Sequence, residues 1–164
     1  MTDPRIVALD TEHTRALAEC HIDCWREAYA DLVPRHVLDA FDLDRRAAQW
    51  ERTRARDPGD TWVALVEQVV VGFANTRVPR DDPPAADREL GALYVRSPWY
   101  GTGLADALLD RVLTPRLSHS LWVFAENPRA RAFYRRRGFV ADGARRIEDF
   151  SPAEMVRMVR AVPL

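Results

Sequence analysis

The 164-residue sequence contains no lysine, and all 24 basic residues are arginine. A Gly-x-x-x-x-Gly-Lys-Ser/Thr phosphate loop is therefore excluded. Cysteine is nearly absent too. Cys20 and Cys24 are the only two, and they share one apolar helical stripe with Leu17 and Ala28, while His21 faces elsewhere. Two thiols and a divergent imidazole make a poor tetrahedral set, so small buried core residues are expected and no metal. There is no run of about 18 apolar residues and no basic-then-apolar leader, which predicts a soluble cytoplasmic chain without a membrane partner. Net charge is -1, leaving no global attraction to nucleic acid or anionic lipid.

What is present suits a packed globule. The hydrophobic fraction is 47% with five Trp, and the length matches one ordinary domain spanning residues 1–164. Arg5 to Leu9 reads as a first strand, and Thr11 offers an N-cap for a helix to about Leu32, ended by Pro34. A second helical piece covers roughly Arg35 to Arg54. Thr61–Val66 and Val69–Val78 form a hairpin about Glu67-Gln68, and Glu89–Val95 is the next strand. A helix from about Gly103 to Leu113 is stopped by Pro115. Ser120–Ala125 is a strand, Asn127-Pro128 starts a helix that Gly138 closes, and Phe139–Arg146 and Met155–Val162 are the last strands. The order is β-α-α-β-β-β-α-β-α-β-β, a mixed α/β fold.

Chemistry concentrates around Gly101 and Gly103, which turn the chain from strand to helix. The free amides of a first helical turn, with the helix dipole behind them, receive anionic groups such as a pyrophosphate. A purely structural turn would use the same glycines to reach positive φ. A dinucleotide fingerprint would need a third glycine where Asp106 stands.

Leu93-Tyr94-Val95 followed by Tyr100-Gly101-Thr102-Gly103-Leu104-Ala105 resembles the acetyl-coenzyme A signature of the GNAT superfamily of N-acetyltransferases, Arg/Gln-x-x-Gly-x-Gly/Ala. Gly103 and Ala105 match it, and Tyr100 replaces the Arg or Gln. Asn127-x-x-Ala130-x-x-x-Tyr134-x-x-x-Gly138-Phe139 resembles a second recurrent segment of that family. The resemblance implies the GNAT fold and acetyl-CoA as co-substrate. It places the thioester against Leu93, Tyr94 and Val95, the phosphates at Tyr100 to Ala105, the pantetheine arm at Asn127, the sulfur beside Tyr134, and Ala130 and Phe133 also among the cofactor-binding residues. Dimers are frequent in such a family, so a homodimer is possible. Arg129, Arg131, Arg135, Arg136 and Arg137 crowd one helix; most read as a solvated face, with one or two available to phosphates.

Acetyl transfer to an amine requires a neutral amine, oxyanion donors and stabilisation of the leaving thiolate. Tyr134 is the expected hydrogen-bond donor to sulfur. Glu89 is the expected base; strand alternation puts it on the side of Leu93 and Val95, and His21 and His36 are alternatives. The family's acceptor pocket lies along the first helices, where Trp25 and Tyr29 share a face, and the acidic row Asp23, Glu27, Asp31 would suit a cationic acceptor. The acceptor is a small-molecule amine or a protein N-terminus. Two rivals remain: a non-catalytic acyl-CoA-binding sensor of the same fold, and an arginine-rich nucleic-acid binder, against which the near-zero net charge counts.

Overall fold

The computed structural model describes residues 2–164, and the β-branched runs of the sequence pair into one seven-stranded sheet. Its strands are β1 (Arg5–Ala8), β2 (Thr61–Val66), β3 (Val69–Arg77), β4 (Arg88–Val95), β5 (His119–Phe124), β6 (Val140–Ile147) and β7 (Glu154–Arg160). The helices are α1 (Thr14–Ala28), α2 (Arg35–Asp39), α3 (Leu43–Arg56), α4 (Leu104–Val112) and α5 (Pro128–Arg136). The strands lie in the order β1-β2-β3-β4-β5-β7-β6. This is the mixed α/β class expected.

Three helix boundaries differ from expectation: α1 ends at Ala28 rather than about Leu32, and two others differ for local reasons. The single piece expected over 35–54 is two helices, because the Asp42 carboxylate accepts the Arg45 amide at 2.7 Å and starts α3 afresh. Ahead of α1, Asp10 rather than Thr11 provides the side-chain cap, opening a 3-10 turn over Thr11–His13. The start at Asn127 is as expected: its Oδ1 accepts the Ala130 amide at 3.2 Å.

Each sheet face has its own core. Leu17, Cys20, Cys24 and Trp50, from α1 and α3, pack on Val63, Leu65, Val70 and Phe73. Leu104, Leu108 and Leu109 of α4 pack on the opposite face with Ala74, Leu90, Val95 and Phe139, and Phe133 and Tyr134 of α5 join them. Each fully buried leucine contributes about 1.5–3 kcal/mol. The two thiols are free and 3.8 Å apart.

Two departures from regular pairing shape the sheet centre. β4 and β5 are parallel but pair only at Arg88 with His119 and Glu89 with Ser120, and then diverge. Between β3 and β4 the register runs Phe73 with Tyr94, Ala74 with Leu93 and Asn75 with Ala92, then jumps to Thr76 with Leu90 and Arg77 with Glu89. Gly91 is the extra residue of this bulge. A Cβ there would stand 2.9 Å from Asn75 Oδ1 and 3.1 Å from Arg77 Cζ, so a side chain would have to push both neighbours aside.

Candidate functional site

The divergence of β4 from β5 opens a cleft, and the chain leaves β4 at its mouth through Arg96 to Gly103. Gly101 and Gly103 have φ of +73° and +85°, values that cost an L-residue about 1–2 kcal/mol. Gly103 caps α4, and a Cβ at either glycine would meet nothing within 4 Å, so the conformation and not crowding calls for glycine. The first helical bond of α4 runs from the Ala107 amide to the Gly103 carbonyl at 3.0 Å, with no side-chain cap. The amides of Leu104, Ala105 and Asp106 thus find no acceptor among the described residues, which is the donor set an anionic group needs. Thr102 Oγ1 donates to the Trp99 carbonyl at 2.7 Å and ties the turn together.

Tyr100 stands where the resemblance expects Arg or Gln, and the Arg129 guanidinium lies 3.7 Å from its ring centroid. A cation therefore stands at the turn, supplied by α5 and held by stacking. Two neighbouring arginines are otherwise engaged. Arg131 donates to the Ala125 carbonyl, and Arg137 pairs with Asp106 and Asp110 of α4.

Deeper in, three phenols gather. Tyr29 and Tyr94 share a hydrogen bond of 3.0 Å between their hydroxyls. Tyr134 contacts Phe133 and Phe139 edge-on, at centroid distances of 5.4 and 5.7 Å. Burial, and then Tyr94, push the Tyr134 hydroxyl above the ordinary phenol range, and burial foremost raises Tyr29 and Tyr94 as well. All three are neutral donors at physiological pH. The structure thus joins Tyr94, expected at the cofactor, to Tyr29, expected at the acceptor.

On the α1 face a cavity of about 410 Å³ is lined by Trp25 and Tyr29, the two aromatics expected there, and by His21, Arg46, Trp50, Glu89 and Tyr94 among others. Glu89 is a correction to the expected geometry. The bulge at Gly91 reverses the alternation, so Glu89 shares a face with Ala92 and Tyr94, not with Leu93 and Val95. Its carboxylate is 1% exposed, 2.7 Å from Arg77 Nη2 and 3.0 Å from the Arg80 amide. Burial alone would raise its pKa; the Arg77 and Arg80 hydrogen bonds and charges outweigh that and hold it below 4.5. Glu89 is an ionised, weakly basic acceptor.

The alternative bases fare differently from expectation. His21 Nδ1 accepts the Trp50 indole N–H at 3.1 Å, so its remaining proton is on Nε2. Burial, and then Arg46, push its pKa down to about 3, leaving a neutral donor. His36 is exposed on α2, away from the cavity. The acidic row expected to face the acceptor does other work: Asp23 pairs with Arg96 at 2.6 Å, Glu27 accepts the Ser97 amide at 3.3 Å, and Asp31 is exposed. Among the described residues no cluster of three His, Cys, Asp or Glu is arranged to hold a metal ion, and no helix is long and apolar enough to cross a membrane.

Four features escaped sequence reasoning: the Arg129–Tyr100 stack, the Tyr29–Tyr94 bond, the arginine lining of the cavity and the bulge at Gly91. Only the bulge left a trace, an isolated glycine inside a strand pattern.

Comparison with known proteins agrees with this architecture. Residues 15–139 match the Acetyltransferase (GNAT) family, and the chain belongs to that family. It is 28% identical over 123 residues, 71% of this chain and 69% of the other, to the uncharacterized N-acetyltransferase YuaI of Bacillus subtilis. The fold is shared with the PaiA N-acetyltransferase of Thermoplasma acidophilum, solved in complex with coenzyme A (TM-score 0.71, 17% identity, 98% of this chain and 99% of that chain). It is also shared with YncA of Salmonella typhimurium, solved with its cofactor acetyl-CoA (TM-score 0.72, 16% identity, 99% and 96%).

Proposed function

We propose that this chain transfers the acetyl group of acetyl-CoA to a primary amine by direct attack of the amine on the thioester. The observation that carries this is the row of unpaired amides opening α4 beyond the point where β4 and β5 part, with Tyr134 packed on the core cluster that Val95 of β4 and Leu121 and Val123 of β5 share. PaiA and YncA, which share the fold, were solved with coenzyme A and acetyl-CoA.

Acetyl-CoA supplies an activated acyl group on a thiol that departs. Tyr100, Gly101, Thr102, Gly103, Leu104 and Ala105 hold its phosphates, chiefly by backbone amides, with Arg129 adding charge beside Tyr100. Asn127, Ala130 and Phe133 border the pantetheine arm. Backbone donors of Leu93, Tyr94 and Val95, on the strand that leaves β5, polarise the thioester carbonyl.

The acceptor enters from the α1 face past Trp25 and Tyr29. Its nitrogen bonds to the acyl carbon as the carbon–sulfur bond breaks, and one proton leaves the nitrogen while the sulfur gains one. Tyr134 donates a hydrogen bond to the sulfur. A phenol near pKa 10 is already a weaker acid than a thiol near 8.5 by about 2 kcal/mol, and burial weakens it further, so Tyr134 stabilises the thiolate without yielding its proton. Glu89 accepts the amine proton through water and passes it on, being too weak a base to keep it. Alignment of amine and thioester supplies much of the rate.

The test combines coenzyme A thiol release over an amine panel with mass detection of the product. Tyr134→Phe should lower kcat about 10- to 100-fold, as for loss of one transition-state hydrogen bond, with the acetyl-CoA Kd unchanged. An unchanged kcat removes its role. Binding of acetyl-CoA with no amine acetylated would make the protein a sensor.

A further inference from the structure

The acceptor cavity has a sign. Arg46, Arg77, Arg80 and Arg146 line it against Glu89 and Glu148, and His21 is neutral there, so four positive charges face two negative ones. Three of the arginines have carboxylate partners. Arg77 and Arg80 lie 2.7 and 3.8 Å from Glu89, and Arg146 pairs with Glu148 and Asp81.

Arg46 has none among the described residues. It projects from α3, half-buried, with its guanidinium carbon 5.2 Å from the Phe41 centroid. Burial foremost lowers its pKa from 12.5; the Tyr94 phenol pulls the other way, but no carboxylate does. A cation withdrawn from water without a counter-ion is costly, and a ligand anion removes the cost. Trp25, Trp50 and Phe150 meanwhile offer apolar wall for a carbon skeleton.

We propose that Arg46 receives a carboxylate of the acceptor, so that the molecule acetylated here is a small primary amine bearing a carboxylate. The proposal rests on the acetyl-transfer function above and narrows it. A planar guanidinium meets a carboxylate through two parallel hydrogen bonds and orients as well as attracts it. A diamine would bring its second ammonium against the positive excess, and an uncharged amine would leave Arg46 without a partner.

The test uses the full chain and a matched series from 3-aminopropanoate to 6-aminohexanoate, each beside its primary amide and its diamine. Binding is followed by calorimetry and transfer by thiol release. At least one aminoalkanoate should exceed its amide about tenfold or more in both affinity and kcat/KM. Arg46→Gln should raise its Kd and KM about 10- to 100-fold, the loss of one charged hydrogen-bonding partner, while kcat and the constants for the amide stay put. Arg46→Lys should recover part of the affinity, and thermal midpoints guard against misfolding.

Equal or better use of amides or diamines by the wild type would overturn the proposal while leaving acetyl transfer intact, as would a carboxylate preference that survives Arg46→Gln. Absence of any aminoalkanoate binding overturns it also. Carboxylate-selective binding that Arg46→Gln abolishes, with no amine acetylated, would uphold the anion site and remove the transfer function.

Discussion

Replacing Glu89 by Gln tests the centre of the molecule, because that carboxylate is both a cavity wall and the partner that balances Arg77. Glutamine keeps the shape and can still accept the Arg80 amide, but it removes the charge 2.7 Å from Arg77 Nη2. Breaking a fully buried pair costs about 3–5 kcal/mol. Arg77 is 30% exposed, so water compensates in part, and about 2 kcal/mol is expected. At 2–4 °C per kcal/mol for a chain of this size, Tm should fall by about 4–8 °C at pH 7. The sign of the pH dependence follows from a folded pKa held below 4.5. The stabilisation is complete above the unfolded value and lost as pH falls through the folded one. Wild type and Glu89→Gln should therefore differ by a constant amount from pH 8 to about pH 5 and converge in stronger acid. Circular dichroism melts across that range provide the measurement. Equal midpoints at pH 7, or a gap that widens toward acid, would refute the ion-pair account. In turnover, kcat should drop while the limb of the pH–rate profile near neutrality stays in place, since Glu89 titrates far below it.

Two further expectations follow from the same region. Gly91→Ala should cost about 1–3 kcal/mol through overpacking against Asn75 and Arg77, read from urea midpoints; an unaltered midpoint would mean that the bulge has room to spare. His21 is neutral in the fold down to about pH 3 but takes up a proton near pH 6.5 when unfolded. Stability should fall below pH 6.5 with a slope approaching about 1.4 kcal/mol per pH unit, and His21→Gln should flatten that slope between pH 6.5 and 5. An equal slope in both proteins would show that the imidazole is protonated in place.

Much of the architecture could be read from local signals. The hairpin about Glu67-Gln68, the glycines before α4 and the Asn127-Pro128 start each depend on backbone preferences of a few adjacent residues, and all lie where expected. The split between α2 and α3 was also local, written in Asp42, but the apolar spacing on either side masked it. The placement of Glu89 was missed because alternation holds only while pairing is regular, and one unpaired residue reverses it. The character of the acceptor wall was beyond sequence reasoning for another reason. Arg46, Arg77 and Arg146 come from three separate elements, and whether each is neutralised depends on carboxylates brought in from elsewhere by the sheet. The acidic row of α1, conspicuous in sequence, is spent on Arg96 and Ser97.

Gly91 also makes the count of residues in β4 matter more than their identity. Removing that one residue would restore an uninterrupted ladder with β3 and leave Glu89 on the face of Ala92 and Tyr94, whereas inserting one residue between Glu89 and Leu90 would turn Glu89 through the sheet toward the leucines of α4. A strand lengthened in this way could remain well folded while taking the carboxylate away from where the amine arrives. A single-codon insertion at this point is therefore a harsher change than most substitutions along the strand.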